Sequence, residues 1–314
     1  MKGRIKMQAN QNPTIPSYIT YPRQFAPYKW YKPLLASIAI FGALIVMMLA
    51  LTVVSSVLAA NQGYDIKELL SGNYDTLDAY SPLGALLSLG SVAIMLPAVA
   101  LGNRIVNARP FSSISSSRGG FSFGAFFKCI AAALVLVGIP LTLINLLTEE
   151  NTGNIRFTAL GFILCTLLVP LQCVAEEYMF RGHIMQTFGS WFKLPVIAIV
   201  LQTACFAAAH PYNVIGVLSV SVMGIILGVC AYVTKGLEAG CALHIVNNMM
   251  AFYFAGFGIG RVKSDVEIIE LIVSIIIFGL YLAFIIFADK KLGWFSKVKK
   301  DDLTPFNEKA AAKK

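Results

Sequence analysis

Two adjacent carboxylates lie in an otherwise apolar stretch of the sequence. Glu176 and Glu177 follow the apolar run 162–174, and Arg181 comes one helical turn later. Ionisable groups at membrane depth are costly, so a functional role is the first hypothesis for them. Glu177 and Arg181 are four residues apart, share a helix face and can pair. Glu176 then points about 100° away from its neighbour, where it can face a cavity and act as a general base.

Two further patterns place histidines on helix faces. Phe206 and His210 share one face at the end of an apolar segment, and Pro211 is expected to stop that helix. His244 and Asn248 share a face one turn apart. Such a pair can present two hydrogen-bond donors to an oxygen that gains charge during a reaction.

Each pattern also has a purely structural explanation. The glutamate pair can mark the end of a helix at the membrane interface, and a histidine at a helix end can be a polar cap. A His–Asn pair can join two helices by hydrogen bonds. The span 157–256 nevertheless holds all three histidines of the chain and only three acids, which are Glu176, Glu177 and Glu238. This concentration favours a functional site.

The composition is that of an integral membrane protein. The 314 residues are 57% hydrophobic and only 13% charged, whereas soluble domains carry roughly 25% charge. The formal charge of +9 could suggest nucleic-acid binding, but basic residues beside a membrane explain it more simply. We therefore predict a protein that contacts the lipid bilayer and no nucleic acid.

Membrane-crossing helices must position these residues. A crossing takes about 20 apolar residues, and we predict an all-α, polytopic membrane helix bundle of about eight transmembrane helices. The predicted segments are 34–60, 82–102, 123–147, 157–187, 194–210, 213–234, 238–256 and 266–288. Helix lengths allow the three patterns to meet at one depth but do not demonstrate it.

The bundle 34–288 is flanked by a basic leader, 1–33, and a basic tail, 289–314. Lysine and arginine favour the cytoplasmic side of short loops. We therefore expect an integral protein of the bacterial plasma membrane with both termini in the cytoplasm. The loop that holds Arg261 and Lys263 is a mild contradiction, because this scheme places it outside.

The segments between the apolar runs are predicted to be connectors. The leader and the Ser/Gly-rich run 112–120 are typical of surface connectors. The six cysteines form no CxxC pair and lie in or near apolar segments. We expect them to be small packing residues and not a disulfide framework.

The three patterns, in this order, resemble the CPBP family of intramembrane proteases, also called the Abi or CAAX-protease family. The family pattern is Glu-Glu-x-x-x-Arg, then Phe-x-x-x-His, then His-x-x-x-Asn. The resemblance covers about a third of the chain, roughly 157–256. It implies an endopeptidase that cuts a membrane-associated or lipidated protein or peptide.

The resemblance implies a catalytic role for Glu176, His210, His244 and Asn248. Glu176 would take a proton from water, helped by His210, and the hydroxide would attack a peptide carbonyl. His244 and Asn248 would donate hydrogen bonds to the resulting oxyanion.

Supporting roles are implied for Glu177, Arg181 and Phe206. Arg181 would hold the glutamate pair, and Phe206 would pack beside the site. His183 is an additional histidine that we expect at the membrane interface.

The family is often described as metalloproteases. A zinc-dependent version of the protease would use Glu176, His210 and His244 as ligands. We prefer no cofactor, because no His-Glu-x-x-His motif is present and asparagine is a poor zinc ligand.

Two other classes of protein remain as alternatives. An ion-coupled transporter would also place such groups inside a bundle, and a membrane adaptor would bind a partner without cutting it. The substrate's identity and the oligomeric state stay open at this stage.

Overall fold

The fold is an all-α bundle, as predicted. The computed structural model describes residues 15–25, 28–64, 67, 77–106, 109–149, 151–260 and 266–296. Eight long helices in these ranges correspond to the eight predicted segments. From α1 to α8 they are Lys32–Ala60, Pro82–Val106, Phe123–Thr148, Ala159–Phe192, Pro195–Ala208, Val214–Thr234, Glu238–Gly256 and Ile268–Leu292.

Six of these helices, all except α5 and α7, are long and apolar enough to cross a membrane. Helix α5 has 14 residues, which span about 21 Å at 1.5 Å per residue. That length is short of the roughly 30 Å of a hydrocarbon core. Helix α7 carries the polar groups of the third motif. The predicted count of about eight crossings is therefore approximate.

Helix α4 lies at the centre of the bundle. It packs against α2, α5 and α7, while α7 also contacts α3 and α6. Helix α1 packs along the second half of α2. A Cβ atom on Gly102 would lie 2.6 Å from the backbone nitrogen of Ile40, so a side chain at this position would separate α1 from α2.

Local sequence signals explain several helix ends. Thr158 Oγ1 accepts a hydrogen bond from the Gly161 amide at 3.0 Å and caps α4. Asn213 Oδ1 accepts from the Gly216 amide at 2.7 Å and caps α6. Helix α5 ends at Ala208, which confirms that the helix stops close to the His-Pro pair.

Helix α4 changes its winding directly after the two glutamates. Residues Tyr178–Ile184 form a π-helical turn, and the α-helix resumes at Met185. Such wide turns occur frequently at functional sites. This one carries Arg181.

The prediction that 112–120 is a surface connector is wrong. Its residues 113–118 are buried, because their polar groups have partners inside the protein. Arg118 Nη2 donates to Glu238 Oε2 at 2.6 Å, and the hydroxyls of Ser115 and Tyr178 are hydrogen-bonded at 2.7 Å. The segment therefore ties the start of α7 to α4.

Part of the leader also packs against the bundle, contrary to its prediction as a surface connector. Tyr18 and Ile19 are fully buried. Arg23 Nη1 donates to the Ser190 carbonyl at 2.8 Å. A Cβ atom on Gly189 would lie 2.5 Å from the Ile19 carbonyl oxygen. The leader thus docks on the end of α4 at a position where α4 has no side chain.

The six cysteines, all within the described ranges, are free, and five of them are buried. This confirms their prediction as packing residues. The predictions for leader residues 1–14, the basic loop 261–265 and the tail beyond residue 296 fall outside the described residues.

Candidate active site

The second glutamate of the pair is held by the arginine. Arg181 Nη1 donates to Glu177 Oε1 at 2.8 Å, and both side chains are fully buried. The predicted pairing of these two residues is confirmed. Arg181 also approaches the Gly224 carbonyl of α6 at 3.5 Å, so its guanidinium links α4 to α6.

His244 lies between the two carboxylates. Its Nδ1 is 2.9 Å from Glu177 Oε1, and its Nε2 is 3.6 Å from Glu176 Oε2. Because a carboxylate oxygen can only accept, His244 Nδ1 carries the proton of the first contact. Glu177 thus pairs with Arg181 as expected, and the two carboxylates approach opposite nitrogens of one imidazole. A Cβ atom on Gly240 would lie 2.9 Å from Glu177 Oε2, so glycine at this position leaves room for the carboxylate.

Glu176 is enclosed but retains an unoccupied acceptor. The residue is only 8% exposed. Among the described residues, its Oε2 atom has no hydrogen-bond partner, and neither does Glu177 Oε2. Glu176 therefore keeps an acceptor that no described group of the protein uses.

Phe206 packs at the centre of the charged cluster. The Arg181 guanidinium lies 4.2 Å from the centre of its ring. The rings of His210 and His244 lie at centroid distances of 4.7 Å and 6.2 Å from it. The phenylalanine of the second motif thus brings both histidines and the arginine to one apolar surface.

His210 is half-buried beyond the end of α5. Its Nδ1 lies 2.8 Å from the Phe206 carbonyl oxygen. Since a carbonyl only accepts, Nδ1 is the protonated nitrogen, and Nε2 is the basic atom of the neutral ring. This tautomer can exchange a proton through Nε2.

Tyr212 is a neighbour of the site that the sequence analysis missed. Its ring lies 5.6 Å from that of His210. Burial and, after it, the negative charge of Glu176 raise the pKa of the Tyr212 phenol. The only sequence signal for it is an aromatic hydroxyl two residues after a motif histidine.

Asn248 lies one turn beyond His244 on α7. Its Oδ1 accepts a hydrogen bond from Asn247 Nδ2 at 3.1 Å. No hydrogen bond within the described ranges joins Asn248 to Glu176, His210 or His244. Its role in the site stays a prediction.

His183, which we expect at the membrane interface, is enclosed between helices. It is 2% exposed, and its Nε2 lies 2.9 Å from Ser37 Oγ of α1. The hydroxyl of α1 supplies the polar partner that allows this histidine to be enclosed between α1 and α4.

The zinc alternative requires Glu176, His210 and His244 to lie close enough together to bind one ion. Within the part of the chain that the structure describes, no three His, Cys, Asp or Glu side chains are grouped as metal ligands would be. The set Glu176, His210 and His244 is therefore not assembled here.

Apolar helices thus bring two carboxylates, an arginine and two histidines together in a membrane protein. Residues 156–250 match the profile of the family described as type II CAAX prenyl endopeptidase Rce1-like. All three motifs lie inside this match, which confirms the recognition of the CPBP family. The matched family supports an intramembrane protease.

One curated relative adds context. The chain is 27% identical over 172 residues to the uncharacterized protein YyaK of Bacillus subtilis (strain 168), and these residues are 51% of this chain and 57% of that protein. The chain thus matches little more than half the length of this relative. No solved structure matches the chain.

Proposed function

We propose that the protein is an intramembrane endopeptidase in which Glu176 activates a water molecule. The supporting observation is the geometry of this carboxylate. It is buried beside His244, with a contact of 3.6 Å, and its Oε2 has no partner among the described residues. Glu177 Oε2 also lacks a partner, but Glu177 is less suited to be the base, because Arg181 and His244 hold its Oε1 and its side chain is fully buried.

In the proposed reaction, Glu176 takes a proton from water and the hydroxide attacks the carbonyl carbon of a peptide bond. His210 would orient the water through its Nε2. The carbonyl oxygen gains negative charge, which His244 and Asn248 would stabilise by donating hydrogen bonds. The C–N bond then breaks, and the proton held by Glu176 passes to the leaving amine nitrogen.

Arg181, Glu177 and Phe206 would be positioning residues. Glu177 anchors His244 through Nδ1, so that Nε2 points towards Glu176. Arg181 holds Glu177 and packs on Phe206. In this scheme none of the three touches the reacting atoms.

We propose that no metal takes part. In this proposal His244 is an imidazolium: Nδ1 donates to Glu177 Oε1, and the protonated Nε2, which faces Glu176 Oε2 at 3.6 Å, is the donor to the oxyanion. Neither nitrogen is then bare, as a zinc ligand must be. Full activity of the purified protein after exhaustive chelation, with no metal in elemental analysis, is the expected result. Activity that is lost on chelation and restored by zinc would overturn this part of the proposal.

The substrate would be a membrane-associated or lipidated protein or peptide. A prenylated peptide is the first to test, because the matched family is described as CAAX prenyl endopeptidases. An apolar groove of about 400 Å³ supports a lipid-bearing substrate. Val174 and Ile245 line this groove, and they lie close in sequence to Glu176 and His244.

The test is Glu176→Gln, which keeps the shape of the side chain and removes the base. Loss of general-base catalysis is expected to lower the cleavage rate of lipidated peptides by about 10² to 10⁴-fold. Glu270→Gln at the start of α8 is the matched control, because glutamine can serve at this capping position. Thermal unfolding in detergent verifies that both variants fold.

Glu176→Gln also distinguishes the protease from the adaptor and the transporter. The membrane peptidome of cells with Glu176→Gln should lack products that the wild type forms. An unchanged peptidome and an unchanged biological effect would support an adaptor and refute the proposal. Ion-coupled flux into liposomes without any cleavage would support a transporter.

A further inference from the structure

A second cavity lies at the end of the bundle where α1 begins and where α2 and α4 end. The cavity has a volume of about 370 Å³ when its open mouth is included. The space in which the centre of a water molecule can lie is about 20 Å³. It shares no lining residue with the candidate active site. Its polar lining residues are Tyr28, Lys32, Asn103, Arg109, His183 and Thr187.

The charge of this cavity is positive. Arg109 and Lys32 line it, and none of the described lining residues is acidic. Arg109 is 8% exposed. Its guanidinium donates to Gln186 Oε1 and to the Gly182 carbonyl, which are neutral acceptors.

A buried cation without a counter-charge is costly. No salt bridge to Arg109 is present among the described residues. Burial lowers the pKa of Arg109 to about 10, and the nearby groups that oppose this shift are the phenols of Tyr18 and Tyr21. An anionic ligand would supply the missing charge.

His183 adds an unpaired polar atom to the same cavity. Ser37 Oγ donates to the Pro33 carbonyl at 3.0 Å, so the His183 Nε2 contact is one in which the histidine donates. His183 Nδ1 is then an acceptor, and it has no partner in the described part of the chain. This atom is sealed from solvent, so Arg109 and Lys32 are the groups that a ligand can contact.

The level of the cavity in the membrane indicates where such a ligand comes from. The membrane span of α1 begins at Lys32. Trp30 and Tyr31, directly before it, are exposed, as is typical of aromatic residues at a membrane–water interface. The cavity therefore opens at the depth of phospholipid headgroups.

We propose that this cavity binds the headgroup of an anionic glycerophospholipid. Arg109 and Lys32 contact the phosphate at the mouth of the cavity. Phosphatidylglycerol carries a net negative charge, whereas phosphatidylcholine carries none. This site is independent of the proposed protease activity.

The test measures lipid binding to the delipidated full-length protein by native mass spectrometry, with phosphatidylglycerol and phosphatidylcholine as probes. The wild type should retain phosphatidylglycerol preferentially. Lys32→Gln should weaken this binding about fivefold, and Arg109→Gln about tenfold. Arg104→Gln is the matched control, because Arg104 is an exposed basic residue at the same end of α2 that does not line the cavity.

Three outcomes would overturn the proposal. Equal binding of the two lipids would show that the headgroup is not recognised. An equal loss in Arg104→Gln and Lys32→Gln would show general surface attraction. Displacement of the lipid by inorganic phosphate would assign the cavity to a soluble anion. If Arg109→Gln does not fold, Lys32→Gln decides the matter, since Lys32 lies at the accessible start of α1.

Discussion

Replacing Arg181 by methionine should strongly destabilise the bundle. The change leaves the carboxylate of Glu177 buried without its cation, at a contact that measures 2.8 Å with 0% exposure of either side chain. Breaking a buried ion pair on one side costs about 3–5 kcal/mol. Loss of the guanidinium from the Phe206 ring adds up to about 2 kcal/mol.

The double variant Glu177→Gln/Arg181→Met isolates the origin of this cost. It removes both charges, while the glutamine oxygen can still accept from His244 Nδ1. Replacement of a whole buried pair by neutral groups is often close to neutral in stability. We therefore expect the double variant to be more stable than Arg181→Met alone.

The assay is the free energy of unfolding, measured by titration with a denaturing detergent and followed by circular dichroism. Arg156→Met is the matched control. Arg156 also forms a 2.8 Å pair, with Asp78, and also covers an aromatic ring, but its side chain is 42% exposed. An exposed pair contributes about 0–1 kcal/mol. The reasoning is refuted if Arg181→Met costs no more than Arg156→Met, or if the double variant is as unstable as the single one.

Two predictions concern other parts of the chain. Asn248→Ala should lower the cleavage rate about 10² to 10³-fold, because it removes an oxyanion donor. Asn247→Ala is the control and should keep the rate within a few-fold of the wild type. Equal effects of the two variants on the cleavage rate would remove Asn248 from the mechanism. Gly189→Ala should release the leader, because the added methyl group meets the Ile19 backbone. Limited proteolysis would then cut the segment 15–25 faster than in the wild type while the bundle stays folded, and unchanged cleavage would contradict the close approach.

The helices and the core of the site could be predicted because their signals are local. Each long helix coincides with an apolar run, and the spacing of Glu177 and Arg181 alone predicts their contact. The approach of His244 to these groups could be predicted only from the resemblance of three ordered motifs, carried by α4, α5 and α7, to a known family.

Contacts between distant segments could not be predicted. The run 112–120 has the composition of a loop, yet Arg118 is buried because Glu238 lies opposite it. His183 is enclosed because Ser37 of another helix receives its hydrogen bond. No pattern within either segment reports the partner, so neither enclosure could be predicted.

The π-helical turn at Tyr178–Ile184 affects how related sequences can be compared. A π turn bonds residue i to i+5 and so takes one residue more than an α turn. A relative with an uninterrupted α-helix here would align correctly only with a single-residue gap after the Glu-Glu-x-x-x-Arg motif. Without that gap, every position beyond it would be assigned to a helix face rotated by about 100°. An alignment that ignores this insertion would pair His183 with residues that point into a different neighbour.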